Sequence, residues 1–147
     1  MIEVYTDASV SNGKAVTSCI VLDPKTFIGY NVKHFSSVSS SLQGELLGIR
    51  EALKYVVNHT EPASDIIIYC DSNAALELVN LNDDTKPVRF TKIITDIRKY
   101  KSIVNVKFQL IKGHQSTHNP NKVVDLISNS VLRTMWGGVN LWFLLLF

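Results

Sequence analysis

Four acidic residues pose the chemical question in this sequence: Asp7 in VYTDASV, Glu45 in LQGELLG, Asp71 in IIIYCDSN and Asp125 in NKVVDLIS. Asp7 and Asp71 each close a run of apolar and aromatic residues that reads as a strand, where a carboxylate is costly unless solvated, paired or metal-bound. Glu45 falls in the first turn of one helical segment and Asp125 in the first turns of another, so both can lean toward the same region. Gathered carboxylates repel one another, which raises a pKa or demands cations. Hard divalent ions meet that demand, and Mg²⁺ is usually held by few carboxylates plus substrate phosphates. Two such ions about 3.5–4 Å apart activate water on one side of a phosphodiester and stabilise the leaving oxygen on the other.

Taken singly, each acid has a plainer role. Asp7 can start a turn, Asp71 can cap the next helix with Ser72, Glu45 can complement a helix dipole, and Asp125 can be a solvated helix residue. Taken together, two acids at matched strand ends and two near helix starts favour one site. His114, closing IKGH, and His118 in the following loop either decorate the surface or, beside carboxylates, carry a proton or ease product release. His34 and His59 read as structural or solvent-facing.

The elements that position these residues follow from periodicity. IEVYTDA, AVTSCIVLD and FIGYNVKHF read as three strands of an antiparallel meander, with the turn-like DPKT between the second and third. SSVSSS supplies a loop and capping hydroxyls, and LQGELLGIREALKYVVNH places Leu42, Leu46, Ile49, Leu53 and Val56 at helical spacing. DIIIYCDS is short and continuously apolar, the pattern of a strand buried on both faces. NAALELVNL is a short helix, NDDTKP a loop, and VRFTKIITDIRKYKSI a helix with Phe90, Ile93, Ile94 and Ile97 on one face. VNVKFQLIKGH alternates as a strand with Val104, Val106, Phe108 and Leu110 on one side. QSTHNPN is a loop, and NKVVDLISNSVLRTM a helix stopped by Gly137 and Gly138. The order predicts an α/β plan with a five-stranded mixed sheet, three antiparallel strands then two parallel to the first, flanked by helices. Ligands in such sheets collect beyond the carboxyl ends of the parallel strands.

At 147 residues, 46% hydrophobic and 19% charged with net charge +2, the chain reads as a soluble globular domain; charge alone does not predict nucleic-acid binding. Cys19 and Cys70, in strand-like runs and without CxxC spacing, read as reduced core thiols in a cytoplasmic setting. The amino terminus carries no signal-like segment, since MIEVYTD begins as a strand. The expected organisation is a domain over residues 1–136 and an apolar tail, 137–147, containing WFLLLF. The tail is too short to cross a bilayer, which takes about 20 apolar residues. Two readings stand: it packs on the domain, or it causes association with a partner, a second copy or a membrane surface.

YTDAS, QGELLGIREAL, IIIYCDSNAAL and KGHQSTHNPNKVVDLIS resemble, in order and spacing, the four acid-bearing motifs of the type 1 ribonuclease H family, from residue 2 to about residue 133. The resemblance implies an RNase H-like fold and an endonuclease that cuts the RNA strand of RNA·DNA hybrids with two Mg²⁺ ions, or Mn²⁺ as substitute, leaving 5′-phosphate and 3′-hydroxyl ends. Carried over, Asp7 bridges the two metals, Asp71 binds the nucleophile-side metal, and Asp125 the leaving-group-side metal. Glu45 binds metal and touches a ribose 2′-hydroxyl, the group by which proteins tell RNA from DNA. His114 matches the mobile-loop histidine, with His118 its rival. Asn73, Ser41 and the backbone from Ser9 to Asn12 become hybrid contacts. The chain lacks a Lys- and Trp-rich basic protrusion, which implies weak hybrid binding. Lys86, Arg89, Lys92, Arg98, Lys99 and Lys101 remain either as phosphate contacts or as a solvated helix face. The fold also admits a nuclease for double-stranded RNA or structured DNA, or a noncatalytic nucleic-acid-binding module. A complete acidic set argues against the last, because it concentrates negative charge where phosphate must sit.

Overall fold

A computed structural model of the protein describes residues 1–23, 26–61 and 64–111. Three strands come first: β1 (Ile2–Ser11), β2 (Lys14–Asp23) and β3 (Thr26–Phe35). Helix α1 (Ser41–His59), strand β4 (Asp65–Cys70), helices α2 (Asn73–Val79) and α3 (Thr91–Lys101), and strand β5 (Asn105–Leu110) follow. The sheet order is β3-β2-β1-β4-β5, antiparallel from β3 to β1 and parallel from β1 to β5, as the element order predicts. Among the described residues no helix is long and apolar enough to cross a membrane. The predicted last helix, its Gly137–Gly138 stop and the tail lie outside the described residues.

The first hairpin explains why β1 runs past Asp7. Asn12 and Gly13 both have positive φ, 53° and 76°, as the favoured two-residue hairpin turn requires. Asn-Gly is the sequence pair suited to it, so β1 and β2 stay paired out to Ser11 opposite Lys14. Asp7 is therefore not the end of β1, as expected from the polarity of SVSN; it lies mid-strand opposite Ser18.

Helix α1 carries the core. Leu46, Ile49, Leu53 and Val56 are fully buried, and each such side chain contributes about 1.5–3 kcal/mol relative to exposure. Ser40 caps its start: the hydroxyl accepts from the Gln43 N–H at 3.1 Å, while Gln43 Oε1 accepts from the Ser39 N–H at 2.7 Å. With the helix fixed at Ser41, Glu45 stands in the second turn rather than the first, and the first turn holds no acid.

Three other expectations are corrected. Strand β4 is not buried equally on both faces: Ile66, Ile68 and Cys70 are buried, while Ile67 and Tyr69 alternate with them half-buried. Helix α3 begins at Thr91, not Val88, because Phe90 takes a left-handed backbone (φ 52°) that breaks helical continuity, and Val88 is 94% exposed. Its buried residues are Ile93, Ile94 and Ile97, while Phe90 packs half-buried on the core. No residue of β5 is fully buried: Val104, just before the strand, is buried, Val106 and Phe108 are half-buried, and Leu110, the strand's last residue, is 42% exposed.

A chain of charges ties β3, α1 and α3 together. Buried Glu51 receives Lys33 at 3.1 Å and Arg50 at 3.5 Å, and Arg50 reaches Asp96 at 3.5 Å. Two partners compensate the burial of Glu51, which would be costly alone.

Candidate metal and nucleic-acid site

Two glycines let α1 lie close on β1. A Cβ at Gly44 would collide with Val10 Cγ2, and one at Gly48 would sit 3.1 Å from Thr6 Oγ1 and 3.4 Å from the Asp7 carbonyl oxygen. Glu45 lies between these two contact points. The glycine pair therefore sets the distance between the Glu45 helix and the Asp7 strand, a role absent from the sequence reading although the four-residue spacing was visible.

From the other side, β4 is parallel to β1 in the register Tyr5 opposite Tyr69. Continuing that register by two residues brings Asp7 level with Asp71, one residue beyond the end of β4. The Tyr5 and Tyr69 rings, two residues before each acid, stack at 4.8 Å and fix the strands against each other there. Asp7 is only 2% exposed, and its Oδ1 accepts from the Ala8 N–H at 2.9 Å. Asp71 is exposed, and Glu45 is half-buried.

Ligand-capable atoms of Glu45, Cys70 and Asp71 lie within 4.8 Å of one another. Burial pushes the Cys70 thiol well above its usual range, and the charges of Glu45, Asp71 and Asp7 push it further, against the Ser72 N–H. The carboxylate oxygens of Glu45 and Asp71 are the anionic donors of this group. Hard oxygen donors at this spacing suit Mg²⁺ or Mn²⁺ better than a thiophilic ion. The donor set fits a divalent cation, with Glu45 and Asp71 as the pair brought together and Asp7 beside them on the next strand.

The other expected site residues are distributed around this edge. Ser9 is nearly buried on β1, Asn12 is exposed in the hairpin turn, and Ser41 is exposed at the start of α1. Asn73 opens α2, exposed, and its Nδ2 donates to Glu77 Oε1 at 3.2 Å. Asp125, His114 and His118 lie outside the described residues. Of the six cations, Lys92 pairs with Asp96 at 2.9 Å, and Arg98 and Lys101 pair with Asp83 at 3.7 and 3.4 Å. Lys86, Arg89 and Lys99 are exposed, and the Arg89 guanidinium lies 5.1 Å from the Phe90 ring centre.

The order of strands agrees with what comparison shows. The RNase H family model matches residues 1–133, and the chain belongs to the RNase H family. Among solved structures it is similar to the N-terminal RNase H domain of rv2228c from Mycobacterium tuberculosis, at 14% identity and TM-score 0.74, over 90% of this chain and 94% of that one. RNase H1 from the halophilic archaeon Halobacterium salinarum NRC-1 is similar at 13% identity and TM-score 0.73, over 90% and 97%. LC11-RNase H1, isolated from compost, in its complex with RNA/DNA hybrid, is similar at 13% identity and TM-score 0.71, over 90% and 99%. These likenesses establish the fold. No curated protein sequence matches the chain.

Proposed function

We propose that the protein is a metal-dependent ribonuclease H that hydrolyses the RNA strand of RNA·DNA hybrids and leaves 5′-phosphate and 3′-hydroxyl ends. The observation that carries this reading is the convergence of Glu45 and Asp71 within 4.8 Å, with the buried Asp7 carboxylate on the neighbouring strand. Family membership and the hybrid-bound state of the similar LC11-RNase H1 support it.

Asp7, Glu45 and Asp71 are the described residues that would hold divalent cations, with Asp125 as the fourth acid. Bound there, two such ions would supply activation of the attacking water and neutralisation of charge on the leaving oxygen. The residues do the rest. Asp7, held by the Ala8 N–H and walled by the sheet, keeps its carboxylate in one place. Asp71, exposed beyond β4, faces the side from which a phosphodiester can arrive. Glu45 meets the ribose 2′-hydroxyl, which selects RNA. His114 handles a proton near the departing product.

The test presents matched RNA·DNA hybrid, RNA duplex and DNA duplex to the purified protein with Mg²⁺, Mn²⁺ or chelator. The expected result is cutting of the RNA strand of the hybrid only, stopped by chelator. Cutting of the RNA duplex alone would replace the reading with a double-strand ribonuclease. Hybrid bound but never cut would replace it with a binding module.

A further inference from the structure

Cys70 is the last residue of β4 and is fully buried, yet its sulfur sits among the carboxylates rather than among apolar side chains alone. Its sulfur accepts from the Ser72 N–H at 3.4 Å, and its S–H points at Glu45 Oε2, 4.0 Å away. Both anchors are fixed. Ser72 caps α2, its hydroxyl accepting from the Ala75 N–H at 3.2 Å, and the Cys70 carbonyl accepts from the Ile111 N–H at 2.9 Å. A thiol has one weak donor and a weak acceptor. With the Ser72 amide on the sulfur, the thiol proton is directed to Glu45.

We propose that Cys70 is a positioning residue, whose S–H holds one oxygen of Glu45 and so fixes the rotation of that carboxylate beside Asp71. The terminal torsion of a Glu side chain is broad and roughly two-fold, so a donor on one oxygen biases which way the carboxylate turns. The inference rests on the reading of Glu45 and Asp71 as a cation-holding pair. It assigns the buried Cys70 thiol a purpose beyond packing.

Infrared spectroscopy and kinetics on the full chain test it together. The Cys70 S–H stretching band is identified as the one lost in Cys70→Val, a change that keeps bulk and removes the donor. In Glu45→Gln that band moves to higher frequency, because a neutral amide is the weaker acceptor; a band that does not move overturns the proposal. In hybrid cleavage, Cys70→Val lowers kcat by roughly 3- to 10-fold with KM for hybrid unchanged, while Cys70→Ser, which keeps an O–H donor, stays within about 2-fold of wild type. Equal losses in both variants, or a loss that follows melting temperature alone, would make Cys70 a packing residue and overturn the proposal. A wild-type protein that cuts no hybrid defeats the proposed function, while the infrared band still decides the hydrogen bond.

Discussion

The junction of α1 with β1 and β4 and the segment from Asn80 through α3 are built on opposite principles. At the junction, Gly44 and Gly48 bring backbone close to backbone, Leu46, Ile49 and Leu53 are fully buried, and the carboxylates stand within β1 (Asp7), on α1 (Glu45) and one residue beyond β4 (Asp71). Around α3, long cations bridge to neighbouring segments or along the helix: Arg98 and Lys101 meet Asp83, Lys101 Nζ donates to the Val79 carbonyl at 3.1 Å, and Lys92 meets Asp96. Asp7 and Glu45, proposed to hold cations, stand where packing tolerates little movement. The cations of α3 sit on long stems paired with Asp83 and Asp96, where ion pairs contribute little.

Breaking the two regions should give losses of different kinds. The largest is expected for Asp71→Asn: cleavage of hybrid falls by at least about 100-fold, since even outer partners of a metal site cost 10–100-fold, with the urea unfolding midpoint unchanged or raised. A parallel fall in stability would show that Asp71 is structural. Leu53→Ala, at the centre of the junction, should destabilise by about 2–5 kcal/mol in the same unfolding assay.

Gly29→Ala should cost about 1–3 kcal/mol, because a Cβ there collides with the Tyr55 hydroxyl of α1. Tyr55→Phe removes that oxygen, so the double variant should recover part of the loss. Simple additivity would deny the contact. In contrast, Lys92→Ala in the α3 region breaks an exposed i,i+4 pair and should shift stability by no more than about 0.5 kcal/mol.

Alkali separates the molecule along another line. Burial pushes the Cys19 thiol from 9.0 up to about 12, so the folded state keeps its proton where the unfolded state loses it. Stability is therefore retained below about pH 9 and falls as pH rises toward 12, and Cys19→Ala should flatten that fall in urea titrations.

Much of the frame was legible because it depends on local pattern. The 3.6-residue spacing of Leu46, Ile49, Leu53 and Val56 identified α1, and polar punctuation marked every strand of the sheet. Asp71 was legible as a candidate because a carboxylate just past an apolar strand is unusual. What escaped was relational. That β1 continues past Asp7 depends on the Asn12–Gly13 turn pairing it with β2, not on the polarity of SVSN. That α3 starts at Thr91 depends on the backbone of Phe90, which its apolar side chain disguises. The meaning of Gly44 and Gly48 lies in the strand beneath them, which the helical pattern alone does not show. Cys70 looked like filler because one sequence position cannot show that Glu45, 25 residues earlier, would lie over it.

The central claim is that Asp7, Glu45 and Asp71 hold divalent cations for hydrolysis of the RNA strand. Single-turnover cleavage of end-labelled RNA·DNA hybrid, with Mg²⁺ raised from zero, measures it in wild type and Asp7→Asn. The account predicts cutting that requires Mg²⁺, stops with chelator, yields 3′-hydroxyl ends, and falls by at least about 100-fold in Asp7→Asn. Cleavage that survives chelation, or that persists at full rate in Asp7→Asn, would contradict it.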